Sequence, residues 1–282
     1  MSVERPIVRE AGRWYSRDGK PVNEVKSADG KRMVKPNVLH ARKYGNKPSV
    51  TYVLQLLRDP GLEQWQKRQI VMAALSVPRP AGVSDADWND IEKRTDMIIG
   101  DAEAQVESAA NKGKDWHAII ENALLGRTLG QLNEIESGVV AKFKGWLTQE
   151  LGEGFSVVVE RSLISDRFGL TPDIVAQDRD LTKTLLCDIK TVADDSPMLL
   201  KAKPYRKWLY QIAPYWRCTD ADITRCWEAI VGRESGAVRF HLWPQSDITE
   251  GWKAFSLLMQ FWTIHNNYDP LTWTGKDATK EA

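Results

Sequence analysis

Apolar positions recur at two different spacings along the chain, and the change from one to the other organises it. Up to residue 46 they are sparse and without period among Gly, Lys, Arg and Asp, with turn signals at Arg17-Asp18-Gly19-Lys20 and Ala28-Asp29-Gly30-Lys31. This predicts a loosely structured arm with one small hairpin. From Pro48-Ser49 onward a helical pattern begins, with Val53, Leu54, Leu56 and Leu57 on one face. Asp59-Pro60-Gly61 breaks it and LEQWQKRQIVMAAL resumes it; the Pro and Gly of Val77–Gly82 then predict a loop. Ser84 is an N-cap candidate for a long polar-rich helix over 85–110. Asn111-Lys112-Gly113-Lys114 is expected to interrupt that helix, DWHAIIENALLGR to start another that ends near Gly126, and a third to cover 136–152.

Beyond 152 the spacing shortens to that of strands: FSVVVERSLIS, then GLTPDIVAQ, then KTLLCDIKTV, with Asp178-Arg179-Asp180 as the turn between the last two. A helix rich in Trp, Tyr and basic residues is predicted over 200–216, and two strands, ITRCWEAIVG and AVRFHLW, flank the turn Arg233-Glu234-Ser235-Gly236. A last helix is predicted from Ser246-Asp247, with Glu250 as capping partner of Asp247. Helices, three strands, a helix, two strands and a helix make one mixed sheet flanked by helices, an α/β (α+β mixed-sheet) fold with a helical extension before it. The division expected is an arm over 1–46, a helical region over 47–110 and a core over 111–282.

Composition changes this picture little. A chain of 282 residues suffices for one large domain or two small ones. No run of about 18 apolar residues offers a membrane span. The charged start, MSVERPIVREAGRW, lacks an apolar signal core, so a cytoplasmic location is expected. Three cysteines without C-x-x-C spacing (Cys187, Cys218, Cys226) predict reduced thiols. Charge is more informative in its distribution than in its net value of +1: residues 1–50 hold twelve Lys/Arg against five Asp/Glu, and 198–217 hold five basic residues and no acid. Basic stretches interleaved with aromatics suit a polyanion, although they also occur as plain solvated faces.

The chemistry lies in the strands. Asp173 sits in Leu-Thr-Pro-Asp-Ile-Val, and Asp188 and Lys190 in Leu-Leu-Cys-Asp-Ile-Lys-Thr, where unpaired charge is costly to bury. If the two segments are antiparallel neighbours, Asp173 comes beside Asp188, and Asp188 and Lys190, two apart, share a face. Two carboxylates within about 4–5 Å repel, and a divalent cation is the simplest way to keep both ionised; Mg2+ or Mn2+ suits such hard oxygens better than zinc. A lysine beside them can orient an attacking water or offset charge on phosphate oxygens. For the D-x-K triplet taken alone, a strand-edge salt bridge from Lys190 to Asp188 or Asp173 is the better reading.

Neighbouring segments add to the set. His117 and Glu121 lie four apart on one helical face, Glu160 ends the apolar run Ser156-Val-Val-Val-Glu, and Gln211 and Tyr215 lie one turn apart on the basic helix. In this order Gly113-x-x-x-His117, Glu160, Gly169-x-x-x-Asp173, Asp188-x-Lys190 and Gln211-x-x-x-Tyr215 resemble the RecB-like branch of the PD-(D/E)xK nuclease superfamily, over roughly 110–245. More weakly, PSVTYVLQLLRDPGLEQW is similar to the helical region that precedes the core of phage and mitochondrial-genome-maintenance exonucleases of that branch.

The resemblance implies a restriction-endonuclease-like core, phosphodiester hydrolysis and a phage source. It implies His117, Asp173, Asp188 and the Ile189 carbonyl as ligands of Mg2+ or Mn2+, and Lys190 as the catalytic lysine. Glu160 is implied as an active-site acid, Glu121 as a support, and Gln211 and Tyr215, with Lys207 on the same helix, as DNA-binding or site-supporting residues. It implies DNA as the partner, single- or double-stranded and engaged at an end, with a recombination protein as a further partner; exonuclease action is favoured over endonuclease action, and a non-catalytic DNA-binding or assembly protein on the same fold is the alternative. Relatives with an iron–sulfur cluster place one cysteine upstream of the core and three after the Gln-x-x-x-Tyr helix. Here no cysteine precedes Cys187 and only Cys218 and Cys226 follow Tyr215, so no cluster is expected.

Overall fold

A computed structural model describes residues 14–27, 30–57, 60–76, 82–84, 86, 89–127, 130–159, 161–201, 203–219 and 222–273. The chain forms two compact units, Met1–Leu56 with Trp116–Ala282, and Leu57–Asp115.

Residues 14–46 do not form a loose arm. They contain β1 (Trp14–Tyr15), β2 (Pro21–Val22), β3 (Val25–Lys26), β4 (Met33–Val34) and α1 (Val38–Tyr44). Strand β5 (Lys47–Pro48) follows and pairs with β1, which also pairs with β2. Trp14 and Tyr15 are fully buried, and the Trp14 ring packs at 4.9 Å from Tyr52 and edge-on to Trp262. Two adjacent aromatic rings bury enough apolar area to outweigh the basic, turn-rich composition around them. Asn37 caps α1 through a reciprocal capping box with His40, which fixes where the chain turns.

Then come α2 (Val50–Val53), a 3-10 turn over Leu54–Leu56, and α3 (Pro60–Ser76). Helix α4 runs unbroken from Ile91 to Leu124, through the expected interruption at 111–114. Neither Asn111, Lys112 nor Lys114 breaks a helix, and Gly113 costs only about 1 kcal/mol relative to Ala. Helix α5 (Glu134–Leu151) starts at an Asn133–Glu136 capping box.

The larger unit is built on a five-stranded mixed sheet of β6 (Ser156–Val159), β9 (Ile174–Gln177), β10 (Thr184–Val192), β11 (Arg225–Gly232) and β12 (Val238–Trp243), in the order β12-β11-β10-β9-β6. Two further short strands, β7 (Leu163–Ile164) and β8 (Gly169–Leu170), pair with each other. Among the described strands of this sheet only β10 and β11 run parallel, joined by a crossover through α6 (Pro197–Lys201) and α7 (Arg206–Cys218). The sheet thus matches the mixed α/β expectation, but two of the expected strands are split: FSVVVERSLIS into β6 and β7, GLTPDIVAQ into β8 and β9. Pro172, which has no N–H to give a ladder, lies in the second gap.

Alternation on β10 decides what each face of the sheet is for. Leu185, Cys187 and Ile189 join Ala229 and Val231 in packing on Ile120 of α4 and Phe143 and Leu147 of α5. The opposite face carries Asp188, Lys190 and Val192 toward α7 and α8 (Gln245–His265). These two helices approach closely because position 251 is Gly: a Cβ there would stand 2.9 Å from Leu209 Cγ. The α8 cap expected from Asp247 and Glu250 does not form. The helix begins one residue after Pro244 without a side-chain cap, and Glu250 pairs with Lys253 at 2.8 Å. Among the described residues no helix is long and apolar enough to cross a membrane.

Candidate active site

Strand β10 presents Asp188 and Lys190 side by side on the α7-facing side, Asp188 buried and Lys190 partly so, and they form an ion pair. Helix α7 adds Gln211, whose amide matches the pair end for end. Its Oε1 accepts from Lys190 Nζ at 3.0 Å, and its Nε2 donates to Asp188 Oδ1 at 3.0 Å and to the Tyr215 hydroxyl at 3.1 Å. A four-residue spacing on one helix is what lets Gln211 and Tyr215 meet.

Asp173 precedes β9. Its Oδ2 accepts the Ile189 N–H at 2.6 Å, and its Oδ1 lies 3.5 Å from His117 Nδ1. The antiparallel register, with Ile174 opposite Cys187, brings Asp173 beside Asp188. His117, enclosed on most sides but with a face open to solvent, lines a small cleft with Glu121, Asp173, Ile174 and Ile189. Glu121 is buried and lies 3.5 Å from Arg127 Nη1. Lys207 sits one turn before Gln211 on α7, on the same face. Glu160 lies outside the described residues.

The electrostatics separate the two aspartates. Burial works against the charge of Asp173, but His117, Lys190 and the Ile189 N–H outweigh it and hold the carboxyl below its ordinary range. Burial and then the Asp173 charge raise Asp188, with Lys190 and His117 offsetting them in part. Burial opposes the ammonium of Lys190, yet Asp188, Glu228 and Asp173 raise its pKa, so it stays protonated. Burial also opposes the imidazolium of His117, and Asp173 overcomes it and raises the pKa. Tyr215 is pushed well up by burial and by both aspartates, so its hydroxyl keeps its proton.

Sequence patterning passed over Glu228. It lies in β11 in parallel register with Asp188, fully buried, inside the apolar run Arg-Cys-Trp-Glu-Ala-Ile-Val-Gly. Burial and then Asp188 push its pKa well above the carboxylate range. A lone acid in an apolar strand was the available signal, but its pairing with Asp188 depends on a parallel crossover that local spacing does not reveal.

The donor chemistry, two carboxylates and an imidazole, fits a hard divalent cation. The arrangement does not close a shell: among the described residues no three His, Cys, Asp or Glu side chains form a group that could hold a metal ion. Asp188, expected as a ligand, is turned to Lys190 and Gln211, and Asp173 spends one oxygen on the Ile189 N–H. The salt bridge that the D-x-K spacing allowed is therefore present.

The turn acids have a different task. Asp178 accepts from the Lys183 N–H at 2.9 Å and the Thr182 hydroxyl at 2.6 Å, closing the β9–β10 turn. Asp178→Ala is expected to lower the melting temperature and leave the chemistry of the Asp188 site unchanged, as paired melting and DNA-degradation assays would register.

No protein-family model matches the sequence, and no curated protein matches it. Among solved structures, an alkaline exonuclease, LHK-Exo, from Laribacter hongkongensis is 13% identical with a TM-score of 0.32, over 73% of this chain and 94% of that one. A protein described as SSO0001 is also 13% identical with a TM-score of 0.27, over 70% of this chain and 85% of that one. Likeness at this level carries nothing about chemistry, which rests on this chain's own residues.

Proposed function

We propose that the chain is a divalent-metal-dependent deoxyribonuclease on a restriction-endonuclease-like core, of the RecB-like kind, and that it degrades DNA from ends with little sequence specificity in recombination, repair or processing. The observation that carries this reading is one largely buried cluster of an Asp–Lys pair on a strand, a second Asp beside it, and a helical Gln that bonds both members of the pair. A structural salt bridge needs neither Asp173 nor His117 next to it.

His117, Asp173, Asp188 and the Ile189 carbonyl would hold Mg2+ or Mn2+, which supplies Lewis-acid polarisation of a phosphate oxygen and of water. Lys190, held as an ammonium beside Asp188, donates hydrogen bonds and offsets the charge that develops on phosphate oxygens. Gln211 fixes the direction of that ammonium, and Tyr215 fixes Gln211. Lys207 and the other basic residues over 198–217 contact the DNA backbone, with Tyr205 and Trp208 available for stacking.

A second reading, a non-catalytic DNA-binding protein on the same fold, draws on Asp188 being taken up by Lys190 and Gln211. Incubation of end-labelled single- and double-stranded DNA and of a covalently closed circle with the protein and Mg2+ separates the readings. Loss of the linear substrates with the circle intact is expected; a cut circle means an endonuclease, and DNA bound but undegraded favours the second reading.

A further inference from the structure

Asp173 stands at the end of a stretch that belongs to neither neighbouring strand. Residues 171–173 lie between β8 and β9, and Pro172 has no N–H to pair. The Asp173 carboxylate reaches the Ile189 N–H and His117, so its aim depends on what fixes the backbone just before it. Thr171 supplies that fixing. Its hydroxyl is hydrogen-bonded at 3.1 Å to that of Ser162, between β6 and β7, and at 2.7 Å to that of Tyr15.

Tyr15 comes from β1, 156 residues upstream of Thr171. It is 1% exposed, its strand is paired by both β2 and β5, and its ring rests against Gly169. One side chain therefore holds the same segment twice, at 169 through the ring and at 171 through the hydroxyl. Its phenol also lies near that of Tyr215, which bonds Gln211 and through it the Asp188–Lys190 pair. A buried Tyr hydroxyl needs some partner, and a backbone carbonyl satisfies that need, as Asn46 does for Tyr268. Here the partner is a side chain two residues before Asp173.

We propose that Tyr15 is a positioning residue of the candidate active site: through Thr171, its hydroxyl sets the direction in which Asp173 faces Ile189 and Asp188. The N-terminal strand, which brings no charged group, is then part of the site. The effect on turnover rests on the nuclease reading above; the effect on Asp173 needs neither cation nor substrate.

Tyr15→Phe keeps the ring and removes the hydroxyl. In NMR spectra of the full chain without added metal, the Ile189 amide proton reports the bond to Asp173. In Tyr15→Phe it is expected to move upfield and to exchange faster than in the unaltered protein. With Mg2+ and end-labelled DNA, kcat falls about tenfold and KM stays, as misorientation of a held group requires. Thr171→Val has both effects, Thr171→Ser restores what Val loses, and the Tyr15→Phe/Thr171→Val double variant loses no more than Thr171→Val alone. Tyr268→Phe, which removes a buried hydroxyl bond elsewhere in the same unit, moves neither readout. An Ile189 amide unmoved in Tyr15→Phe overturns the proposal. So do additive losses in the double variant, or an equal shift in Tyr268→Phe, which would make the effect a general loosening. An unaltered protein that degrades no DNA overturns the nuclease reading instead, and the Ile189 amide still decides the role of Tyr15.

Discussion

Asp188→Ala and Lys190→Ala each remove Mg2+-dependent DNA degradation, by about a thousandfold or more. That is the scale at which losing a preorganised charged group lowers turnover, and larger where the group acts as part of a unit. The two variants lose different things. Asp188→Ala takes away the carboxylate that would reach the cation, and it leaves the Lys190 ammonium interior with only Gln211 to bond. Breaking one partner out of a buried pair costs about 3–5 kcal/mol of stability, so a melting curve must accompany the assay. Asp188→Asn, which keeps the shape and one carbonyl oxygen, is the better-folded companion. Lys190→Ala is the milder structural change, because Asp188 already has a raised pKa and takes a proton when its partner goes. Activity then falls while the fold holds, and this separates chemistry from stability. Degradation of end-labelled DNA by purified variants is the measurement; undiminished cleavage by both would overturn the nuclease reading.

How far the residues announced this site varied with how local each relation is. Asp188 and Lys190 share a strand face, and Gln211 and Tyr215 share a helix face, by spacing alone; both pairs meet as spacing requires. Asp173 reaches Asp188 through a short antiparallel turn, nearly as local, and Asp178 closes that turn. The relations that were hidden all cross long stretches of chain. Glu228 comes beside Asp188 only after a crossover through two helices. Trp14 and Tyr15 read as part of a basic arm because what they pack on lies far along the sequence, Tyr52 and Trp262 for Trp14, Gly169 and Thr171 for Tyr15. Continuity of α4 through Gly113 was hidden for the opposite reason: the local signal for a break was there, but too weak to act. Which partner Asp188 takes, among the described residues, is an energetic choice. Lys190 is tethered two residues from Asp188 and claims it, and no spacing rule anticipates that.

The same long-range packing fixes why residue 169 is glycine, and Gly169→Ala is expected to be among the most destabilising single changes in the larger unit. A Cβ at 169 would lie 2.2 Å from Tyr15 Cδ2 and Cγ and 2.7 Å from Tyr15 Cβ, well inside contact distance. The ring cannot step aside: Tyr15 is 1% exposed, its hydroxyl lies 2.7 Å from Thr171 Oγ1, and its strand is paired on both edges by β2 and β5. On the other side, the Gly169 backbone pairs with Ile164 and bridges Ser49. Overpacking a site that cannot relax costs about 3 kcal/mol, which for a chain of this size lowers the melting temperature by roughly 6–12 °C. A double-mutant cycle locates the cause. Tyr15→Ala alone costs about 3–5 kcal/mol as a buried ring lost, but in its presence Gly169→Ala costs little, because the clash is gone; contacting residues are non-additive in this way. Equal cost in both backgrounds, or a Gly169→Ala variant that melts with the unaltered protein, would refute it. Activity follows the same cycle, since Thr171, Pro172 and Asp173 come directly after Gly169 and displacement of the Tyr15 ring moves the segment that holds Asp173 against Ile189. The Gly-x-x-x-Asp spacing thus joins a folding requirement at its first position to a chemical one at its last, and Gly169→Ala loses degradation through Asp173 without touching a charged group.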